Sequence, residues 1–176
     1  MTNWTRYDTR ALIEAAGEKP CVSIGAVKAI RRHHGEPNLV ERMARFEGFI
    51  DQQTVGFVWG QTDCALLLAD WAIACGHSDP APHLRGQYDT EDGCRAILAA
   101  AGGLPNVVQA CAASIGLKPL HEPEFGAVAV IGSATNSARQ WGAIWQGHKW
   151  LVRWLAKDGR PTWALFAAKP LSLWRV

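Results

Sequence analysis

Apolar positions in this chain follow two different periods, and the change from one to the other falls near residue 125. From Pro37 to about Gln53, Leu39, Val40, Met43, Phe46 and Ile50 recur on one face at helical spacing, which predicts an amphipathic helix. Phe57-Val-Trp-Gly60 then turns the chain into Cys64–Cys75, a segment apolar nearly all round and stopped by Gly76. A helix of that composition belongs in the middle of a domain rather than on its surface. Thr90 reads as the cap of a helix over 91–101, with Glu91 and Asp92 in its first turn and Gly102 after its end. A further short helix is expected over 105–114. Beyond residue 125 the pattern becomes short or alternating apolar runs. Val128–Ile131, Gly142–Trp145, Trp150–Trp154, Trp163–Ala167 and Leu171–Val176 read as strands separated by Gly, Pro, Asn and Asp. Helices first and strands second predict an α+β domain, its buried helix packed on an antiparallel sheet.

The first forty residues punctuate differently. An Asp8 cap and Gly17 stop bound one short helix, and a Ser23 cap and Gly35 stop bound another that ends in Lys28-Ala-Ile-Arg-Arg-His-His34. The expected organisation is a helical extension over 1–41 followed by one domain over 42–176. At 176 residues, 48% hydrophobic and 19% charged, the composition is that of an ordinary globular protein. No run of eighteen apolar residues predicts a membrane span, and no apolar stretch follows the first charges as in a secretory signal. Folding in a reducing cytoplasm is the expectation.

Charge is nearly balanced overall but unevenly spread. Residues 1–45 carry eight Lys/Arg against five Asp/Glu, residues 46–125 three against ten, and residues 126–176 seven against one. Such polarity suits docking on a charged partner, or simply keeps short basic strands soluble. Five cysteines without a CxxC pair argue against a disulfide framework and a zinc ribbon, and the six histidines show no metal-ligand spacing with them. No metal and no cofactor are expected. Six of the nine tryptophans (Trp141, Trp145, Trp150, Trp154, Trp163 and Trp174) fall in the strand half, which fits core packing plus a protein interface.

The chemistry concentrates at Phe57-Val-Trp-Gly-Gln-Thr-Asp-Cys64. With Thr62 as N-cap, Cys64 falls in the first helical turn, where free N–H groups and the dipole favour a thiolate. A nucleophile also needs a base within hydrogen-bond reach. The alternative is a buried cysteine acting as a small apolar filler.

Trp59-Gly60-x-x-Asp63-Cys64 before a buried helix resembles the nucleophile segment of NlpC-type papain-like cysteine peptidases, and more closely their small phage-tail relatives. The order of elements is similar too. Gly86-Gln-Tyr88 stands where that family has a Gly-x-Tyr loop, and Gly102-Gly103 where it ends a helix. Gly126-Ala127-Val128 stands where a strand opens with Gly-Asp-Val, and Gln140-Trp-Gly-Ala-Ile-Trp-Gln-Gly147 where the next carries His-x-Gly-Ile. The resemblance spans about residues 42–176 and implies a papain-like domain with Cys64 at the nucleophile position. Two residues depart from it: Ala127 replaces the acid, and on alignment by the closing glycine the histidine position falls on Trp141. Trp141 cannot accept a proton. His148, just past Gly147, is the substitute base to consider, with His121 a second candidate further out.

The resemblance therefore implies a structural component of a bacteriophage or phage-like tail, at the tip or hub, built on a peptidase domain whose chemistry has lapsed. Implied partners are other tail proteins (hub, distal tail or fibre proteins) and peptidoglycan, and the implied location is the virion, after synthesis in the bacterial host cytoplasm. The alternative is an active hydrolase of cell-wall peptides, an endopeptidase or amidase. In it Cys64 is the nucleophile, His148 the base, and helix-start N–H groups form the oxyanion hole. A third reading uses the basic N-terminal helices to bind nucleic acid, although no recognition-helix pattern follows them.

Overall fold

A computed structural model describes residues 39–133, 139–156 and 158–176. The chain divides into two units, residues 1–45 and 46–176. Of the first only 39–45 is described, as the opening of a helix; the expected helices at 8–17 and 23–35 lie outside the described residues. Among the described residues four helices precede the main sheet: α1 (Leu39–Asp51), α2 (Leu66–Ala74), α3 (Glu91–Ala101) and α4 (Leu104–Ser114). Six strands follow: β1 (Lys118–Pro119), β2 (Val128–Gly132), β3 (Gln140–Trp145), β4 (Trp150–Leu155), β5 (Pro161–Phe166) and β6 (Pro170–Arg175). All pairings are antiparallel, in the order β1-β6-β2-β3-β4-β5. The α+β expectation describes this architecture. Two details differ: the two-residue β1 is too short to carry a periodic signal, and Leu39 and Val40 are exposed rather than part of α1's buried stripe.

The helix centre is α2. Leu66, Leu67, Trp71 and Ala72 on successive turns are fully buried, as a helix apolar on every side requires. Phe46 and Phe49 of α1 meet the Trp71 ring with centroids 5.3 Å away. The indole N–H donates to the Gly126 carbonyl at 2.7 Å, so the one polar atom of that side chain is satisfied inside the core.

The sheet is curled, and a short connection forces it. Only residues 167–169 join β5 to β6, although β4, β3 and β2 lie between them in the sheet. Four Cα steps reach at most about 14 Å, whereas four flat strand spacings are about 19 Å. The strands must therefore wrap. Trp150 Nε1, donating 2.9 Å to the Ala168 carbonyl, pins the crossing. Wrapping gives the sheet two buried faces. Val128, Val130, Ile144, Leu151 and Trp174 face the helices with Leu67 and Trp71. Ala127, Ala129, Ala143, Val152 and Trp150 fill the concave side.

Candidate functional site

The turn before α2 is organised by Asp63, which is 1% exposed. Its Oδ1 accepts from the N–H groups of Ala65 at 2.9 Å and Leu66 at 3.0 Å. Its Oδ2 accepts from the Gly60 N–H at 2.9 Å and the Tyr88 hydroxyl at 2.6 Å. The helix is thus capped by Asp63, not by Thr62. The Thr62 hydroxyl instead bridges the Val58 N–H and the Gly56 carbonyl, holding the preceding loop. The same knot draws in residues 86–88. Gly60 adopts φ +69°, its carbonyl accepts from the Gly86 N–H at 2.8 Å, and a Cβ there would lie 1.9 Å from the Tyr88 carbonyl oxygen. The two short motifs singled out in the sequence, 59–64 and 86–88, are two sides of one hydrogen-bonded unit.

Cys64 lies in the turn, two residues before α2 begins, and reaches the sheet where two strands part. β3 and β4 pair only at Ile144↔Leu151 and Trp145↔Trp150. Trp145 uses its N–H and C=O on the β2 side, so by strand alternation Gly142 directs its own toward β4. In the gap the Gly142 N–H lies near the Cys64 thiol, close enough to favour its ionised form slightly. Gly142 must be glycine for this approach, because a Cβ would stand 2.3 Å from the Cys64 carbonyl oxygen. On the concave side of the gap Trp141 stacks on Phe166, with planes 7° apart, and meets Trp154 at 5.5 Å.

The electrostatics oppose a nucleophile. Burial, then the Asp63 charge, push the Cys64 thiol up to about 12, against a smaller opposing effect of the Gly142 N–H. The helix N–H groups expected to favour a thiolate are already bonded to Asp63. Burial and Asp63 also raise Cys94, to about 11, and Tyr88. Every one of these groups is protonated at neutral pH.

Arg153, 3% exposed, holds the loop that carries the turn. Its Nη1 donates to the Thr62 carbonyl at 3.1 Å, and its Nη2 to Gln53 Oε1 at 2.8 Å and the Val55 carbonyl at 3.3 Å. The guanidinium also lies 5.1 Å from the Trp163 ring centroid. Hydrogen bonds to a charged group contribute about 1.5–3 kcal/mol. Arg153→Met is therefore expected to lower stability by about 3 kcal/mol in urea unfolding, with hydrogen exchange rising first in residues 53–62. Exchange unchanged there would show that the loop is held by other contacts.

A cleft of about 490 Å³ opens beside Cys64, with Phe57, Trp59, Trp141 and Trp154 around it, and runs inward between α2, α3 and α4. Among the described residues no histidine lines it. His148 sits exposed in the β3–β4 turn, beyond the end of β3 and outside the cleft lining. His121 is exposed between β1 and β2. The structure brings neither to Cys64. Trp141 is in the cleft but on the opposite side of β3 from Gly142; the neighbour that shares Gly142's face is Gln140. Ala127 is fully buried on the concave side, where a carboxylate would lack solvent. Among the described residues no group of three or more His, Cys, Asp or Glu is placed to hold a metal ion. Arg153 as clamp was the functional side chain least visible beforehand, since its partners lie about 91–100 residues away in sequence, whereas Asp63 has distant company only in Tyr88.

Fold and site together define an α+β domain in which a cysteine turn is wedged into a parted antiparallel sheet, with a carboxylate rather than an imidazole beside the thiol. Residues 38–176 match the family described as a domain of unknown function (DUF6950), and the chain belongs to that family. No curated protein and no solved structure matches it.

Proposed function

We propose that this is a structural protein of a bacteriophage or phage-like tail, at the tip or hub, using an NlpC-type papain-like domain that no longer performs cysteine catalysis. The resemblance of the 59–64 and 86–88 motifs, joined through Asp63 and Gly60, supports the family reading; the tail location rests on that resemblance alone. The observation that carries the loss of catalysis is the Asp63 carboxylate on the helix N–H groups beside a thiol raised to about 12. Cysteine hydrolysis needs an imidazole to take the thiol proton, and among the described residues none lines the cleft.

Thiol reactivity tests the chemistry. A thiol whose folded pKa is raised stays neutral until the pH nears that value. Its contribution to stability is complete below its ordinary value of 9.0 and is lost as pH climbs toward 12. Iodoacetamide at pH 7 is expected to leave Cys64 unmodified while the folded chain persists, with the rate still rising with pH above 10. Fast selective alkylation of Cys64 at pH 7, abolished by His148→Ala, would instead establish the hydrolase reading, which the open cleft beside Cys64 favours. Gold-labelled antibody on purified particles tests the location: labelling at the tail end is expected, and absence of the chain from intact particles would refute it.

A further inference from the structure

The interior of the cleft is unlike its rim. Leu68 of α2, Ile97 and Leu98 of α3, Val107 and Cys111 of α4, and Leu117 line it. α3 is amphipathic in sequence, yet none of its residues is fully buried. Its apolar face is only half-buried: Leu98 packs on the helical core, and Ile97 and Leu98 both border the cleft. The volume, about 490 Å³, falls in the range of small-molecule pockets.

The polar groups bordering this space are already committed. Asp63 accepts four hydrogen bonds, the Tyr88 hydroxyl donates to it, and Arg153 donates to three acceptors. A peptide entering here would bury amide groups with nothing to answer them, whereas a hydrocarbon chain requires no partner. At the mouth stand Glu91, Arg95 and Arg139. Arg95 is paired with Glu91 and Asp92, which leaves Arg139 as the cation there with no carboxylate among the described residues.

From this arrangement we propose that the cleft binds a single-chain amphiphile with an anionic head, a long-chain carboxylate, its tail between α2, α3 and α4 and its head on Arg139. The site stands whether or not the domain belongs to a tail.

Calorimetric titration of the full chain with octanoate, decanoate and dodecanoate below their micelle concentrations tests this. One site per chain is expected, tightening about three- to fourfold per added methylene. No binding, or a flat series, overturns the proposal. Ile97→Trp and Val107→Trp each put an indole into the space from a half-buried position and are expected to abolish dodecanoate binding. Binding retained in a folded variant would remove the ligand from this cleft; if neither variant folds, the chain-length series still decides. Arg139→Glu is expected to weaken dodecanoate at least tenfold and leave 1-dodecanol unchanged. Equal effects on acid and alcohol would overturn the head-group assignment.

Discussion

Asp63→Ala is expected to be the most damaging change of charge in this domain, lowering the melting temperature by roughly 10–15 °C. The carboxylate is buried and accepts four hydrogen bonds, three from backbone N–H groups and one from a phenol. Alanine would strand all four donors away from water, at about 1–3 kcal/mol for each that finds no substitute. Some relief will come from water entering the cleft, so a loss of about 4 kcal/mol is the expectation. Asp63→Asn separates the charge from the cap. Its amide oxygen can still serve Ala65 and Leu66, while its NH2 faces the Gly60 N–H. Asparagine should therefore cost less than alanine, yet lower the Cys64 pKa by removing the neighbouring negative charge. Urea unfolding of both variants, with the pH dependence of Cys64 alkylation in the asparagine form, measures the two effects. An alanine variant as stable as the parent would mean the knot does not organise the turn.

Gly60→Ala is expected to disrupt the same unit by shape alone. At φ +69° a side chain is strained before any contact is considered, by about 1–2 kcal/mol. The new Cβ would then meet the Tyr88 carbonyl oxygen at 1.9 Å, a backbone atom that cannot swing aside. Relief requires residues 86–88 to withdraw, which breaks the Gly86–Gly60 and Tyr88–Asp63 bonds together. We expect a loss above about 4 kcal/mol, not additive with Asp63→Ala because both dismantle one network. Gly48→Ala is the matching control. Its Cβ would meet nothing within 4 Å inside α1, so alanine there should stabilise by about 0.5–1 kcal/mol. If both glycine variants melt alike, close approach at Gly60 is not what the fold requires.

The parts legible in the sequence were those decided locally. Thr90 caps α3 through the Gly93 N–H, and Gly102 ends it at φ +77°, because both roles need only residues within one turn. The buried centre, α2, followed from an unbroken apolar run. At the turn before α2 the cap is Asp63 rather than Thr62: its Oδ1 meets the Ala65 and Leu66 N–H groups, a local role, while its Oδ2 is tied to Tyr88, 25 residues away and out of reach of sequence periodicity. At Trp141 the strand register adds what the sequence does not show. Gln140 and Gly142 lie on the opposite face of the strand from Trp141. Cys64 reaches both sides of it, its backbone against Gly142 and its side chain packed on the cluster that Trp141 also joins. The curl of the sheet was invisible for another reason: strand runs disclose that strands exist, not that three residues must bridge four strand spacings.

That short bridge bears on how the protein comes into being. β6 is made last of the six strands but takes its place second from one edge, between β1 and β2. Without Pro170–Arg175, β1 has no neighbour in the sheet and one edge of β2 leaves its backbone N–H and C=O groups unpaired. The sheet therefore cannot be completed by adding strands in chain order at a free edge, because its last strand supplies an inner position.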